Sequence, residues 1–144
     1  MTEYDTIALL KECDSGTRMA VSSFDEVMDR VRDPGMRELL RKSRRHHEEL
    51  GDEIHALLDR HGKDPKDPGP VAKGMSWLKT NMTLAMDASD SAVAGLMTDG
   101  CDMGIKSLHQ RLNQYPGADP KAKAMCRRLI CIEEELERDL RSYL

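Results

Sequence analysis

The sequence predicts an all-α protein in which four long helices form a bundle and a short crossover helix joins the second to the third. The chain of 144 residues has the length of one domain, expected over 1–144. Aromatic residues make up only 3% and Met occurs 10 times, which disfavours a β-sandwich or a β-barrel. Between the breaks in the chain, apolar residues recur at the three- and four-residue steps of amphipathic helices.

Four short stretches rich in proline, glycine or aspartate divide the chain into helical segments. They are 33–35, 61–70, 87–89 and 115–120. The first and last stretches contain the pairs Asp33-Pro34 and Asp119-Pro120. Aspartate is a favoured N-cap, and a proline at the first helical position gives up no intrahelical hydrogen bond. We therefore expect the second and fourth long helices to begin at these two pairs.

Each long segment presents one apolar stripe, which is the pattern of a helix that buries one face. The four helices are expected over 5–32, 34–60, 89–115 and 120–143. A helix of this length, about 27 residues, is roughly 40 Å long. Four such helices are long enough to form a bundle around a single core.

The crossover helix is expected from a further apolar stripe between the second and third long helices. Its members are Val71, Met75, Leu78, Met82 and Ala85. The connections from the first to the second helix and from the third to the fourth are short. The bundle is therefore expected to consist of two helical hairpins with one long crossover between them.

Three short matches indicate an internal repeat that relates the two hairpins. They pair 13–16 (CDSG) with 101–104 (CDMG), 33–34 with 119–120, and 47–50 (HEEL) with 133–136 (EEEL). The matches occur in the same order and at nearly the same offset, as expected if one hairpin was used twice. Chance is the alternative, because Asp, Glu and Leu are common in helices.

Five features occur along the chain in a fixed order. They are Leu10-x-x-Cys13-x-x-Gly16, Asp33-Pro34, the linker and crossover segment with Trp77, Gly100-Cys101-Asp102, and Asp119-Pro120. Through them the chain resembles the ferritin-like superfamily and, more narrowly, a bacterial family of small four-helix proteins of unknown function. The resemblance covers nearly the whole chain. It implies a ferritin-like four-helix bundle and no particular activity.

Many ferritin-like proteins hold a di-iron centre, for which two helices each give a Glu and the other two each give Glu-x-x-His. In the second helix of this chain, Ser43 and Arg44 stand three residues before His46 and His47. The corresponding part of the fourth helix, 129–133 (LICIE), has no histidine. The sequence therefore predicts no di-iron centre, no bound cofactor and no catalytic residues of a familiar type.

His47 and Glu133 are unusual because both fall on apolar stripes near the middle of their helices. A buried charged group needs a partner, so the two side chains are expected to hydrogen-bond across the core. They are also the candidate ligands of a single metal ion. In the alternative interpretation one or both rotate to the helix edge, and His46 or Ile132 faces inward.

The four cysteines contain no C-x-x-C pair, so neither a zinc knuckle nor a thioredoxin-type site is indicated. Cys13 and Cys101 lie on apolar stripes and are expected to be core residues. Cys126 and Cys131 are the candidate redox thiols. Cys126 is followed by two arginines, which favour a thiolate.

A basic run at 41–47 is expected to be a solvated helix face, with an anion-binding site as the alternative. The net charge of −4 disfavours nucleic acid as a partner. No apolar run is long enough for a membrane span, and the N-terminal residues have no secretory pattern, which favours a cytoplasmic protein. A homodimer is expected as one possible assembly because ferritin-like bundles often pair along helix faces.

These observations favour a non-enzymatic structural or interaction module. The alternative is a metal-binding or redox protein with a non-standard site near His47 and Glu133.

Overall fold

The computed structural model describes residues 2–62 and 89–144. It contains four long helices, α1 (Glu3–Met28), α2 (Pro34–Arg60), α3 (Asp90–Gln114) and α4 (Pro120–Leu140), followed by a short 3-10 helix (Arg141–Tyr143). The described residues form no strand, so the prediction of an all-α helical bundle is confirmed. The predicted crossover helix around 71–85 lies outside the described residues.

The helix starts follow the capping pattern of the sequence. The Asp33 side chain accepts a hydrogen bond from the Met36 amide, and the Asp119 side chain accepts one from the Ala122 amide. Each cap precedes a proline in the first turn, as predicted. At the other end of α1, the helix stops four residues before the expected position 32, in a turn where the Arg30 amide donates to the Val27 carbonyl.

Contacts at the helix ends define the directions of the helices. Glu3 at the start of α1 contacts His61 at the end of α2, 2.9 Å away. The amide of Asp119, which caps α4, donates to Thr6 near the start of α1. The Asp90 carboxylate at the start of α3 accepts from the amide of Asp33, the cap of α2. Thus α1 runs parallel to α4 and α2 runs parallel to α3.

This arrangement places the end of α2 and the start of α3 at opposite ends of the bundle. Helix α1 packs most extensively on α2, and α3 packs on α4, so each short connection closes a helical hairpin. The hairpins meet where α2 contacts α4 and where α1 contacts both α3 and α4. None of the described helices is both long and apolar enough to cross a membrane.

Two hydrophobic clusters fill the interior. The first, which we call the Leu10 cluster, surrounds Leu10, Leu50, Ile54, Leu129 and Ile130. The second, the Phe24 cluster, surrounds Phe24, Leu40, Met97, Leu136 and Leu140. All of these residues except Ile130 come from the predicted apolar stripes, because each stripe is the buried face of its helix.

A polar zone separates the two clusters. On α2, the buried residues Ser43 and His47 lie between Leu40 of one cluster and Leu50 of the other. On α4, Glu133 occupies the same level between the two clusters. The fold therefore brings the two unusual stripe residues to the middle of the bundle.

Asp90 ties the two hairpins together at one end. Its carboxylate accepts hydrogen bonds of 2.8 Å from the backbone amides of Arg32 and Asp33. These two bonds, with that of Arg32 the larger influence, lower the pKa of the carboxyl group. A carboxyl group with a lowered pKa in the folded state stabilises the fold above its unfolded pKa, about 3.9. That stability is lost as the pH falls through the folded-state pKa.

We therefore predict that Asp90→Ala lowers the urea midpoint of unfolding at pH 7. The difference from wild type should shrink as the pH falls below about 4, because protonation removes the same acceptor from the wild-type protein. Asp99→Ala, which removes an exposed carboxylate of the same helix, is the matched control. Equal pH profiles for the two variants would contradict the assignment.

Candidate functional site

His47 and Glu133 meet in the polar zone between the two clusters. The side chain of His47 is 1% exposed and that of Glu133 is 12% exposed. The His47 Nε2 and Glu133 Oε1 atoms are 3.6 Å apart. This is the distance of a close electrostatic contact, longer than the ordinary N–H···O bond of about 2.7–3.2 Å. Both side chains therefore face the core, as in the first interpretation of the sequence, but they are not in direct hydrogen-bond contact.

The other ring nitrogen of His47 is held by the helix itself. His47 Nδ1 lies 2.7 Å from the backbone carbonyl oxygen of Ser43, one turn earlier in α2. A carbonyl oxygen only accepts hydrogen bonds, so Nδ1 carries a proton and donates it. In the neutral ring the lone pair is therefore on Nε2.

His47 Nε2 is one of the buried polar atoms of the described chain that have no hydrogen-bond partner. Its nearest polar neighbour, the Glu133 carboxylate, is also an acceptor when ionised. Two acceptors that face each other repel unless something positive lies between them. The arrangement therefore favours either a proton on Nε2 or a bound cation.

Gly104 on α3 creates the space that the Glu133 carboxylate occupies. A Cβ atom at this position would lie 2.6 Å from Glu133 Oε2, much closer than atoms of this kind approach each other. A glycine in the interior of a helix costs about 0.5–1 kcal/mol relative to alanine. At this position the missing side chain allows Glu133 to reach inward from α4.

A cavity of about 80 Å³ lies beside the pair. Its walls include Phe24, whose ring centroid is 5.3 Å from that of His47, and several aliphatic side chains. Sulfur-containing residues also line it. They are Met19, Met97, Cys101 and Met103. The cavity is thus mostly apolar, and its described polar lining residues are His47, Glu133 and Ser23.

Cys101 and Cys13 are buried, as predicted for core residues. Burial raises the pKa of the Cys101 thiol well above its ordinary value, and the nearby Glu133 carboxylate raises it further. A hydrogen bond with Cys126 raises the pKa of Cys13. Both thiols are therefore protonated at neutral pH.

The two candidate redox thiols lie in different surroundings. Cys126 is fully buried, and its hydrogen bond with Cys13 lowers its pKa, with a further contribution from Arg127. Cys131 is exposed, beside Arg127 and Arg128. All four cysteines are free thiols. The accessibility that a reactive thiol requires is thus found at Cys131 and not at Cys126.

A second polar cluster, between α1 and α2, was not predicted. Asp14 has only 8% of its side chain exposed and contacts Arg18 at 3.1 Å and His55 at 3.5 Å. The His55 ring also lies 3.6 Å from Asp59, one turn later in α2. In the sequence, the only indication of the burial of Asp14 was its position directly after Cys13, a residue of the apolar stripe.

The basic run at 41–47 is divided between solvent and the core. Arg44 forms ion pairs with Asp25 at 2.8 Å and with Glu48 at 2.9 Å, whereas His47 faces inward. The hydrogen bond with Asp25 is the main cause that raises the pKa of Arg44. A basic side chain whose charge is balanced by neighbouring carboxylates is typical of a solvated helix face.

Counting histidine, cysteine, aspartate and glutamate, residues 2–62 and 89–144 contain no group of three that could hold a metal ion. The pair of His47 and Glu133 remains as a two-residue arrangement beside the cavity.

The described helices form a four-helix bundle. At its centre lies a buried imidazole nitrogen, His47 Nε2, that has no hydrogen-bond partner. A family model described as "Domain of unknown function (DUF2383)" matches residues 5–114, and the chain belongs to this family. No curated protein matches the chain. A solved structure, titled "Crystal structure of DUF305 fragment from Deinococcus radiodurans", is similar, with a TM-score of 0.75 and 15% identity. The alignment covers 96% of this chain and 93% of the other, and at this identity it shows the fold alone.

Two glycines of α3 provide a test of the space reserved for Glu133. A Cβ at Gly95 would have no atom within 4 Å, whereas one at Gly104 would collide with the carboxylate. We predict that Gly95→Ala raises the free energy of unfolding by about 0.5–1 kcal/mol. Gly104→Ala should gain less or lose stability, because Glu133 must move, as measured by urea denaturation. Equal gains would show that Glu133 does not depend on this space.

Thiol labelling tests the placement of the cysteines. In the native protein we expect Cys131 to react rapidly with a thiol reagent and the other three to react only after unfolding, because they are buried. Cys131→Ser should therefore abolish rapid labelling, and Cys126→Ser should leave it unchanged. Rapid labelling that persists in Cys131→Ser would contradict the burial of the remaining thiols.

Proposed function

We propose that this chain is a non-enzymatic, ferritin-like metal-binding bundle in which His47 Nε2 and the Glu133 carboxylate hold a single metal ion. One observation carries the proposal. His47 Nε2 is buried, has no hydrogen-bond partner and lies 3.6 Å from a carboxylate oxygen. A cation between these two atoms would satisfy both.

The hydrogen bond at Nδ1 supports this proposal over a purely structural role. A histidine that binds a metal usually donates its other ring N–H to a backbone carbonyl, a carboxylate or water. This bond fixes the tautomer and the orientation of the ring. The bond from His47 Nδ1 to the Ser43 carbonyl has this arrangement and leaves the Nε2 lone pair in the core.

The helix directions support the ferritin-like assignment. Helices α2 and α3 are parallel and belong to different hairpins, so the end of α2 and the start of α3 lie at opposite ends of the bundle, as in that superfamily. The proposed internal repeat would make His47 and Glu133 equivalent positions of the two hairpins. The ligand set differs from a di-iron centre because Ser43 and Arg44 replace the carboxylates of the Glu-x-x-His motif, so we propose one ion.

The competing function is a structural or interaction module without a ligand, in the cytoplasm and as a homodimer. In that case His47 would serve only the packing of the core. His47→Leu would then be tolerated, because replacing a buried polar pair by apolar groups is often neutral or stabilising. Metal content separates the two functions, because only the first requires an ion.

We predict that protein expressed with added copper, iron, manganese and zinc, and purified without chelator, contains close to one metal ion per chain. His47→Gln and Glu133→Gln should each reduce this content at least about tenfold, because each removes a ligand. The measurement is elemental analysis by mass spectrometry.

His46→Gln and Glu134→Gln are the matched controls, since they make the same changes at neighbouring positions, one half-buried and one exposed, that do not line the cavity. Both should keep the wild-type metal content. A metal-free wild-type protein, or equal content in the core and control variants, would overturn the proposal in favour of the ligand-free module.

A further inference from the structure

We infer that the ion is a soft monovalent cation, Cu(I) or Ag(I), bound in the cavity beside His47 with His47 Nε2 as its nitrogen ligand and with sulfur ligands from α1 and α3. This inference rests on the proposed function and specifies which class of metal the site takes.

The sulfur atoms around the cavity are its first support. Met19 on α1, and Met97 and Cys101 on α3, are sulfur-containing residues that line the cavity. Met97 and Cys101 are four residues apart, so they occupy the same face of one helix. Thioether ligands favour Cu(I) over the harder divalent ions.

Methionine is also a common filler of irregular cores, and this chain has few aromatic residues to fill space. Filling space does not account for the imidazole, however. In a packing role, a neutral His47 would keep its Nε2 atom buried and without a hydrogen-bond partner. An ion held between Nε2 and the sulfur atoms accounts for both features together.

The charges around the cavity suit a monovalent ion. Among the described residues that line the cavity, Glu133 is the single carboxylate, and it is mostly buried. A bound monovalent cation would give a neutral pair with this carboxylate. Hard divalent ions such as Mg²⁺ and Ca²⁺ require several oxygen ligands, and the cavity wall offers one carboxylate.

Met103 provides a route into the cavity. It lines the same cavity, yet 52% of its surface is exposed. The cavity therefore reaches the protein surface beside a thioether. An exposed soft ligand at the mouth suits the capture of a soft ion from solution before it moves to the buried site.

The test compares Cu(I) and Ag(I) with Co(II) on the full chain. All proteins carry Cys131→Ser, which removes the exposed thiol as an alternative binding site. Affinities for Cu(I) are measured without oxygen, by competition with a chromophoric Cu(I) chelator. Ag(I) is added as a redox-inert probe of the same ligands. Urea unfolding of each metal-free variant checks that it folds.

We expect the double variant Met19→Leu/Met97→Leu to weaken Cu(I) and Ag(I) binding at least about tenfold, and His47→Gln to do the same. Met125→Leu is the control, because it removes a buried thioether of the Leu10 cluster, away from the cavity. Equal affinities for Met125→Leu and the double variant would overturn the inference.

X-ray absorption of the Cu(I) complex of the Cys131→Ser protein provides a test that needs no core variant. We expect sulfur scatterers together with one imidazole. A copper ion surrounded by nitrogen and oxygen alone would overturn the inference. Tight Co(II) binding that depends on His47 and Glu133, without Cu(I) or Ag(I) binding, would overturn it and leave the proposed function standing. Binding of none of the three ions would overturn both.

Discussion

A buried imidazole has two nitrogens to satisfy, and helix α2 satisfies only one of them in His47. The Ser43 carbonyl takes the Nδ1 proton, and this bond fixes the ring orientation. Nε2 then points into the zone between the two hydrophobic clusters. Glu133 reaches this zone from α4 because Gly104 leaves room for its carboxylate. Three features lie around this unpaired nitrogen: the cavity, the glycine at position 104 and the inward Glu133 carboxylate.

The helices could be predicted from the sequence because their signals are local. Asp33-Pro34 and Asp119-Pro120 mark helix starts through contacts within one turn, and both caps are present. The stripe of α2 depends only on the helical period, and it placed Ser43 and His47 inside the bundle. The end of α1 at Met28 was not predicted. Val31 lies in the connection after the helix and is nevertheless buried, so the apolar pattern continues past the last helical residue.

The site could be predicted only in part because its features depend on how the helices pack against one another. His47 and Glu133 were recognised as polar residues on apolar stripes. Gly104 was not, since its role depends on the distance between α3 and α4. The contact of Asp14 with His55 and that of Cys13 with Cys126 likewise join different helices. The family match covers His47 and the sulfur residues of the cavity but ends at residue 114, before Glu133 on α4.

The unpaired Nε2 atom of His47 links the stability of the bundle to its proposed ligand. Without an ion, and with His47 neutral, the buried unpaired Nε2 reduces stability by about 1–3 kcal/mol, and an apolar residue at position 47 would avoid this loss. An ion that binds the folded chain alone stabilises it by RT ln(1 + [L]/Kd), about 2.7 kcal/mol when its concentration is 100 times Kd. The two quantities are of similar size. In a site of this kind the metal-free protein is therefore less stable than it would be with an apolar residue at position 47, and binding of the ion restores the lost stability. A purely structural core would gain nothing from retaining His47.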